Sequence, residues 1–228
     1  MIYSDITEAI FIKRPNRFIA EVLINNKPEI VHVKNTGRCK EILKEGTKVY
    51  LQKSNNPNRK TKYSLISAYK EDMLINIDSQ IPNYVVYEAI ENNIIPSLTN
   101  TTYLKKEQKY KNSRFDLYFE KESKKGFIEV KGVTLEHNGL AMFPDAPTVR
   151  GTKHLNELID AVENGYEGYL FLLIQINNIY KFTPNYTTDE KFANTLKKAY
   201  DAGVKILCYN SFVTKNEIVI GKKAKVSL

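Results

Sequence analysis

The sequence has no tryptophan, only two cysteines and few histidines among its 228 residues. Cys39 and Cys208 lie far apart without metal-ligand spacing, so we expect two reduced thiols rather than a disulfide framework or a cysteine-based zinc site. No apolar run approaches the ~18–20 residues that a membrane span requires. The first residues, MIYSDITEAIFIKRPNRF, lack a basic leader followed by a long apolar block, so no secretory signal is predicted. These absences favour a cytoplasmic protein that does not bind membranes.

Two further sequence motifs are absent, and their absence argues against two classes of function. The sequence contains neither G-x-x-x-x-G-K-[ST] nor G-x-G-x-x-G, the motifs that hold nucleotide phosphates, so a nucleotide-dependent enzyme finds no support. It also shows no helix-turn-helix with an exposed basic recognition helix, which a dedicated DNA-binding regulator usually carries.

Positive charge is in excess, with 34 Lys and Arg against 26 Asp and Glu. A net charge of +8 suits a polyanionic partner such as nucleic acid. The first 82 residues hold 14 of the basic residues against 9 acidic ones. The N-terminal third is therefore the expected binding surface, with a solvated basic face as the alternative.

The first 80 residues consist of short β-branched and aromatic runs broken by turn-forming residues, as expected for strands. Five or six strands in this length suit a small closed barrel. Residues 35–45, NTGRCKEILKE, are predicted to form one short helix that Gly46 ends. The pattern fits an OB barrel, but on these grounds an SH3-like barrel remains open.

The rest of the chain predicts the order helix, strand, strand, helix, strand, helix, strand, which is typical of an α/β domain with a mixed sheet. The predicted segments are residues 79–93, 115–119, 126–133, 148–165, 168–176, 189–203 and 204–213. GYLFLLIQI is nearly all apolar, so this strand is expected to be covered on both faces. We therefore predict two domains, residues 1–82 and 83–228.

Three charged residues fall on the two adjacent strands of this second domain. Glu129 and Lys131 are separated only by Val130, so they point to one face, and Asp116 would approach Glu129 if the strands pair. Two neighbouring carboxylates repel each other and call for a cation, for which Mg²⁺ or Mn²⁺ is suited. Lys131 would then orient or deprotonate a water, or stabilise charge on a phosphate. The alternative is a surface ion pair that contributes only ~0–1 kcal/mol.

Several longer segments carry a family resemblance. They are KRPNRFIAEV (13–22), HVKNTGRCKEIL (32–43), RKTKYSL (59–65), PNYVVYEAI (82–90), KKEQKYKNSRFDLYF (105–119), FIEVKGVTL (127–135) and AMFPDAPTVRGTKHLNEL (141–158). Over nearly its whole length the sequence resembles the sugar fermentation stimulation protein A family. The Asp…Glu-x-Lys order resembles that of the PD-(D/E)xK nucleases.

The resemblance implies a two-domain α+β protein: an N-terminal OB-fold β-barrel and a C-terminal α/β PD-(D/E)xK nuclease-like domain with a mixed sheet. It implies a metal-dependent nuclease that cleaves DNA and/or RNA. The alternative is a DNA-binding regulatory protein of sugar metabolism without significant catalysis, the role for which the family was named.

By the same resemblance, Asp116 and Glu129 match the metal ligands and Lys131 matches the catalytic lysine. Glu88 matches a carboxylate that an upstream helix contributes to the metal site and to catalysis. Glu107 is a rival for that role, because it directly precedes the strand of Asp116.

Two residues on the following helix are candidates for substrate contact. Arg150 and His154 are four positions apart and therefore share a face. The arginine could clamp a phosphate and the histidine could contact the scissile group, although a lone helical histidine is more often structural. Asp145 is expected to cap the helix.

Basic and polar residues also cluster in the loops of the barrel, where phosphate contacts are expected. They are Arg14, Asn16, Arg17, Asn35, Arg38, Lys40, Arg59, Lys60 and Lys62. Phe18, Tyr50 and Tyr63 are candidates to stack on bases, with packing inside the barrel as the alternative.

Overall fold

A computed structural model describes residues 1–35 and 37–228 of the chain. The N-terminal third contains six strands: β1 (Ile6–Asn16), β2 (Ile19–Ile24), β3 (Lys27–Val33), β4 (Lys48–Lys53), β5 (Tyr63–Lys70) and β6 (Met73–Asn76). They are ordered β3-β2-β1-β4-β5-β6, and parallel pairing of β3 with β5 closes the first five into a barrel. This closed five-stranded arrangement confirms the predicted OB-fold.

The predicted helix over residues 35–45 is wrong for the part that the structure describes, because residues 37–45 form turns, a bend and irregular backbone; residue 36 lies outside the described residues. Cys39 has a φ of +47°, outside the helical region. The guanidinium of Arg14 also donates hydrogen bonds to backbone carbonyls that a helix would direct to its own N–H groups. Those carbonyls belong to Asn35, Gly37 and Arg38.

The remainder of the chain contains three helices and ten strands within its described residues. The helices are α1 (Ile81–Glu91), α2 (Val149–Glu163) and α3 (Glu190–Asp201). The strands are β7 (Tyr103–Tyr110), β8 (Ser113–Lys121), β9 (Lys124–Val133), β10 (Leu135–His137), β11 (Leu140–Phe143), β12 (Glu167–Ile174), β13 (Lys181–Pro184), β14 (Lys205–Val213), β15 (Ile218–Lys223) and β16 (Lys225–Val226). A 3-10 turn spans Pro96–Leu98.

A six-stranded mixed sheet, ordered β15-β14-β12-β9-β8-β7, forms the core of this unit. Strands β9, β12 and β14 run parallel, and the outer strands pair antiparallel. Alternate residues of β12 enter two apolar clusters: Leu170 and Leu172 pack with α2 and α3, whereas Phe171 and Leu173 pack with α1. Both faces of the central strand are therefore covered, and the predicted α/β domain is confirmed.

A second, four-stranded sheet, ordered β10-β11-β13-β16, was not predicted from the sequence. Its strands have between two and four residues, too short to show a clear alternation of polar and apolar positions. The predicted division between residues 82 and 83 stays a prediction; in the structure it falls just inside the first turn of α1. No helix among the described residues has both the length and the apolar character that crossing a membrane requires.

A buried polar network joins the barrel to the second unit. The side-chain amide of Gln175 donates to Asn76 Oδ1 at 2.9 Å and to the Asp78 carbonyl at 3.1 Å. Asn76 in turn donates to the hydroxyl of Tyr3 at 2.9 Å. Gly132 of β9 packs against Gln175 so closely that a Cβ there would lie 2.2 Å from its side-chain oxygen. Strand β9 is thus in contact with the joint between the two units.

A largely buried ion pair also links β5 to β10. The ammonium of Lys70 lies 2.7 Å from a carboxylate oxygen of Glu136. Burial alone would raise the pKa of Glu136, but the hydrogen bonds from Lys70 and the Gly139 N–H hold it below its usual range. A carboxyl with a lowered folded pKa stabilises the fold at neutral pH and loses that contribution as the pH falls through the folded value.

Replacing the lysine of this pair should destabilise the protein. We expect Lys70→Met to lower the free energy of unfolding at pH 7 by about 3 kcal/mol, because it leaves a buried carboxylate without its cation. The loss should shrink as the pH falls below the ordinary glutamate pKa of ~4.3 and through the lower folded value, because the carboxyl then becomes protonated. Urea denaturation over a pH series measures both effects. Lys48→Met, which breaks the exposed pair with Glu8, is the matched control and should cost only ~0–1 kcal/mol; equal losses would contradict the prediction.

Candidate active site

The site forms where the hairpin of β8 and β9 ceases to pair. Antiparallel pairing runs from Lys121–Lys124 to Leu117–Ile128. At the next position Asp116 faces the strand partner Glu129, and Asp116 Oδ2 accepts a hydrogen bond of 2.8 Å from the backbone N–H of Val130. The Asp116 side chain therefore accepts a hydrogen bond from a backbone N–H that would otherwise pair within the strand ladder. This contact brings the carboxylates of Asp116 and Glu129 together.

Glu129 lies at the centre of the cluster and is only 1% exposed. Its Oε1 accepts hydrogen bonds from Lys131 Nζ and from Nδ1 of His154, whereas no described residue is a hydrogen-bond partner of the buried Oε2. Burial would raise the pKa of this carboxyl, but the His154 hydrogen bond and the Lys131 charge hold it below its usual range. The carboxylate is therefore ionised, with one oxygen left for a further partner.

Asp116 is held on both of its oxygens. Oδ1 accepts a hydrogen bond of 2.8 Å from the side-chain amide of Asn83, in the first turn of α1. Burial and the charge of Glu129 raise the pKa of Asp116, while Lys131 and the two hydrogen bonds oppose that change. The neighbouring carboxylates thus repel each other, as the sequence interpretation supposed, and a cation between them would relieve that repulsion.

Helix α2 brings Arg150 and His154 to the same cluster. Because the ionised Glu129 can only accept, Nδ1 of His154 carries the hydrogen, which leaves Nε2 to accept a long hydrogen bond of 3.4 Å from Arg150 Nε. His154 is buried and holds Glu129, whereas Arg150 is exposed. The helix is capped by Thr148, which accepts from the Gly151 N–H, so the expected capping role of Asp145 is wrong.

The structure does not bring Glu88 to the cluster. Its carboxylate lies 2.9 Å from the amino group of Met1, and the residue of α1 that contacts Asp116 is Asn83. The predicted role of Glu88 as a metal ligand therefore has no geometric support, because its side chain lies five residues further along α1 and is engaged elsewhere.

Glu107 lies on β7, the strand next to that of Asp116. The register of β7 with β8 places it opposite Asp116, between the pairs Lys106–Leu117 and Gln108–Phe115. However, its φ is +58° and its exposed carboxylate pairs with Arg114 at 3.3 Å. Its side chain thus points to a surface partner rather than to Glu129.

The chemistry of the donor set fits a hard divalent cation. Asp116 and Glu129 offer carboxylate oxygens, the ligands that Mg²⁺ and Mn²⁺ prefer, and Oε2 of Glu129 is buried and unpartnered. Residues 1–35 and 37–228 contain no group of three or more His, Cys, Asp or Glu side chains placed to hold a metal. Two carboxylates suffice for Mg²⁺, which usually keeps several waters and binds substrate phosphates as well.

The predicted nucleic-acid-binding residues of the barrel divide into two groups. Around the β1–β2 turn, Arg14 is bound to backbone carbonyls, and Asn16 Oδ1 accepts from the N–H groups of Phe18 and Ile19. Both side chains are therefore used within the protein. Arg17 lies over the ring of Phe18, 4.6 Å from its centroid.

The second group lies in the loop between β4 and β5. Arg59 donates to the hydroxyls of Ser64 at 3.1 Å and Thr61 at 3.4 Å, and Lys60 is exposed. Tyr50 is buried and Tyr63 packs partly buried against the barrel core, so neither offers a free ring face. Their phosphate and base contacts stay predictions.

Sequence reasoning missed Asn83, which positions Asp116. The available signal was its place after Pro82, in the first turn of a helix whose apolar stripe was already recognised. Asparagine is neither a general base nor a usual magnesium ligand, so the residue type did not indicate a functional role. It acts here as a donor that fixes the orientation of a carboxylate.

The chain is similar to known proteins over nearly its whole length. The chain matches the family models described as "SfsA N-terminal OB domain" over residues 12–77 and "Sugar fermentation stimulation protein RE domain" over residues 80–217. Proteins named sugar fermentation stimulation protein homolog are 51% identical in Alkaliphilus oremlandii (99% of this chain, 98% of the relative) and 53% in Clostridium botulinum strain Langeland (100% and 99%). The solved structure of Pyrococcus furiosus SfsA in complex with Ca²⁺ is similar over 100% of this chain and 98% of that one, with 30% identity and a TM-score of 0.93.

The repulsion between the two carboxylates can be measured directly. We expect Glu129→Gln to lower the pKa of Asp116, because it removes the negative charge that helps to raise it. Titration of the carboxyl carbons by NMR measures the change. Asp160, whose pKa is lowered by Lys111 and Tyr110 away from this cluster, is the internal reference and should not move. An unchanged Asp116 would mean that the carboxylates do not interact.

Proposed function

The chain belongs to the sugar fermentation stimulation protein family, and we propose that it acts as a nuclease that hydrolyses phosphodiester bonds in DNA or RNA. The observation that carries the proposal is the juxtaposition of two carboxylates, Asp116 and the buried Glu129, whose Oε2 has no hydrogen-bond partner among the described residues. An isolated pair of carboxylates would repel a phosphate, so a pure nucleic-acid-binding protein has no use for this arrangement without a metal.

Asp116 and Glu129 would hold the cation, Mg²⁺ or Mn²⁺. When bound, such an ion neutralises phosphate charge and makes a bound water a stronger nucleophile. The Pyrococcus furiosus relative is described in complex with Ca²⁺, another hard cation that takes oxygen ligands, which supports a divalent-cation site here.

The surrounding residues have distinct roles in this proposal. Asn83 and the Val130 N–H orient Asp116, and His154 orients Glu129 from the opposite side. The ammonium of Lys131 lies beside the cluster, where it can hold a water or stabilise negative charge on the phosphate as the bond breaks.

The substrate would be positioned from outside the cluster. Arg150, exposed and linked to His154, is placed to contact a phosphate of the substrate. The OB barrel would supply the remaining contacts with the nucleic acid.

The second candidate is a DNA-binding regulatory protein without significant catalysis. The names of the relatives favour it, since they refer to sugar fermentation and not to cleavage. The ion pair between Lys131 and Glu129 is also compatible with a non-catalytic protein, because Lys131 can neutralise the buried carboxylate without taking part in a reaction. Cleavage assays separate the two candidates.

Purified protein should cut labelled single- or double-stranded DNA or RNA in Mg²⁺ or Mn²⁺ but not in EDTA. Lys131→Ala should slow cutting by about 10²-fold or more, because it removes a charged group from the reacting phosphate. Asp116→Ala should abolish metal-dependent cutting while nucleic acid still binds.

The matched control is Lys125→Ala, on the same strand, where the lysine makes a surface pair with Glu120; it should cut at the wild-type rate. Cutting that survives in both site variants would assign the chemistry elsewhere. Binding without cutting in any metal would favour the regulatory protein.

A further inference from the structure

A basic pocket on the barrel lies between the β1–β2 turn and the loop of residues 37–40. Its volume is about 480 Å³, within the range of pockets that bind small ligands. Phe11, Ile12 and Leu43 contribute apolar surface, and the cationic side chains of the lining outnumber its one carboxylate, Glu45. A pocket that combines apolar surface with positive charge complements a nucleotide, which has an apolar base face and an anionic phosphate.

The positive charge of this pocket is available to a ligand. Arg17, Arg38 and Lys40 are exposed, and none of them makes an ion pair with a described residue. Lys13, by contrast, pairs with Glu21 at 3.3 Å. The three free cations therefore attract an anion that the protein itself does not provide.

Phe18 supplies a stacking surface at the same turn. Its ring is 48% exposed, although a phenylalanine is usually buried, and the Arg17 guanidinium lies over it. Base–aromatic stacking tolerates any sequence, because every base has a flat face. An exposed ring beside free cations is the arrangement by which OB barrels hold single strands.

Arg14 makes this site rigid. Its guanidinium donates to the carbonyls of Gly37 at 2.7 Å and Arg38 at 2.9 Å on one side, and of Arg17 at 2.8 Å on the other. One side chain therefore ties together the two loops that border the pocket. Loops that are already ordered lose little entropy when a ligand binds.

The pocket also adjoins the loop that leads to the candidate active site. Gly37 lies against the carboxylate of Asp145; a Cβ at this glycine would lie 2.5 Å from Asp145 Oδ2. Three residues further on, Thr148 caps helix α2, which carries Arg150 and His154. A strand bound in the pocket is thus on the side of the barrel that touches the catalytic unit.

We propose that this pocket and the ring of Phe18 at its border together bind one nucleotide of a single-stranded nucleic acid, with the base stacked on Phe18 and the phosphate on Arg17, Arg38 and Lys40. The inference rests on the proposed nuclease function and names its substrate class: a single strand or an unpaired end. A duplex keeps its bases stacked inside the helix and offers no free base to the ring.

The test is binding measured in EDTA, where metal-dependent cutting does not occur. Fluorescence anisotropy with labelled single-stranded DNA and RNA of about 15 nucleotides, and with the matching duplex, gives the dissociation constants. We expect Phe18→Ala to weaken single-strand binding about tenfold or more, Phe18→Tyr to retain it, and duplex binding to change less than about twofold. Phe212→Ala, which removes a comparably exposed ring from β14, is the matched control and should bind as wild type.

Arg38→Ala provides a second variant that does not alter the aromatic ring. It should reduce the slope of log K against log salt concentration by about 0.7, the value for one lost phosphate contact on a single strand. Single-strand affinity unchanged in Phe18→Ala, equal losses for duplex, or an equal loss in Phe212→Ala would overturn the proposal. Binding is measured without cutting, so the two proposals can fail separately. A protein that binds as expected but never cleaves would refute the nuclease function and still support the nucleotide-binding pocket.

Discussion

The burial of one ionised carboxylate constrains how the helices pack on the mixed sheet. Glu129 lies on a central strand and is buried from water. An isolated charge buried there would cost a large desolvation free energy. Lys131, two residues along the same strand, and His154, from a helix packed on the sheet, both reach its Oε1. The position of α2 over β9 and the ionisation of this carboxylate therefore depend on each other.

The two faces of the sheet contribute differently to that centre. From one face, Asn83 of α1 fixes Asp116; from the other, His154 of α2 fixes Glu129. Both contacts meet at the end of the β8–β9 pairing, where the strands no longer use all their backbone groups on each other. Where two strands of a sheet stop pairing, polar side chains can be accommodated between them while the apolar core on both faces of the sheet stays intact.

The sequence predicted the strands and helices that have a strong apolar period, and it brought Asp116, Glu129 and Lys131 together because alternation and hairpin pairing determine their faces. It failed at residues 35–45 for a physical reason. Cys39, Ile42 and Leu43 have helical spacing and are all buried, but they fill the barrel from a series of turns that Arg14 holds in place. Long-range hydrogen bonds of this kind leave no local pattern, which is also why the sequence favoured Glu88 over Asn83 as the contribution of α1.

The contact of Gly132 with Gln175 has a mechanical consequence. Gly132 follows Lys131 directly, and Gln175 is the residue whose amide is bonded to the end of the barrel at Asn76 and Asp78. A tilt of the barrel against the sheet would therefore press on strand β9 at Gly132, directly beside Lys131. Under the proposed nuclease function, the barrel that would bind the substrate is thereby coupled to the strand that carries Lys131.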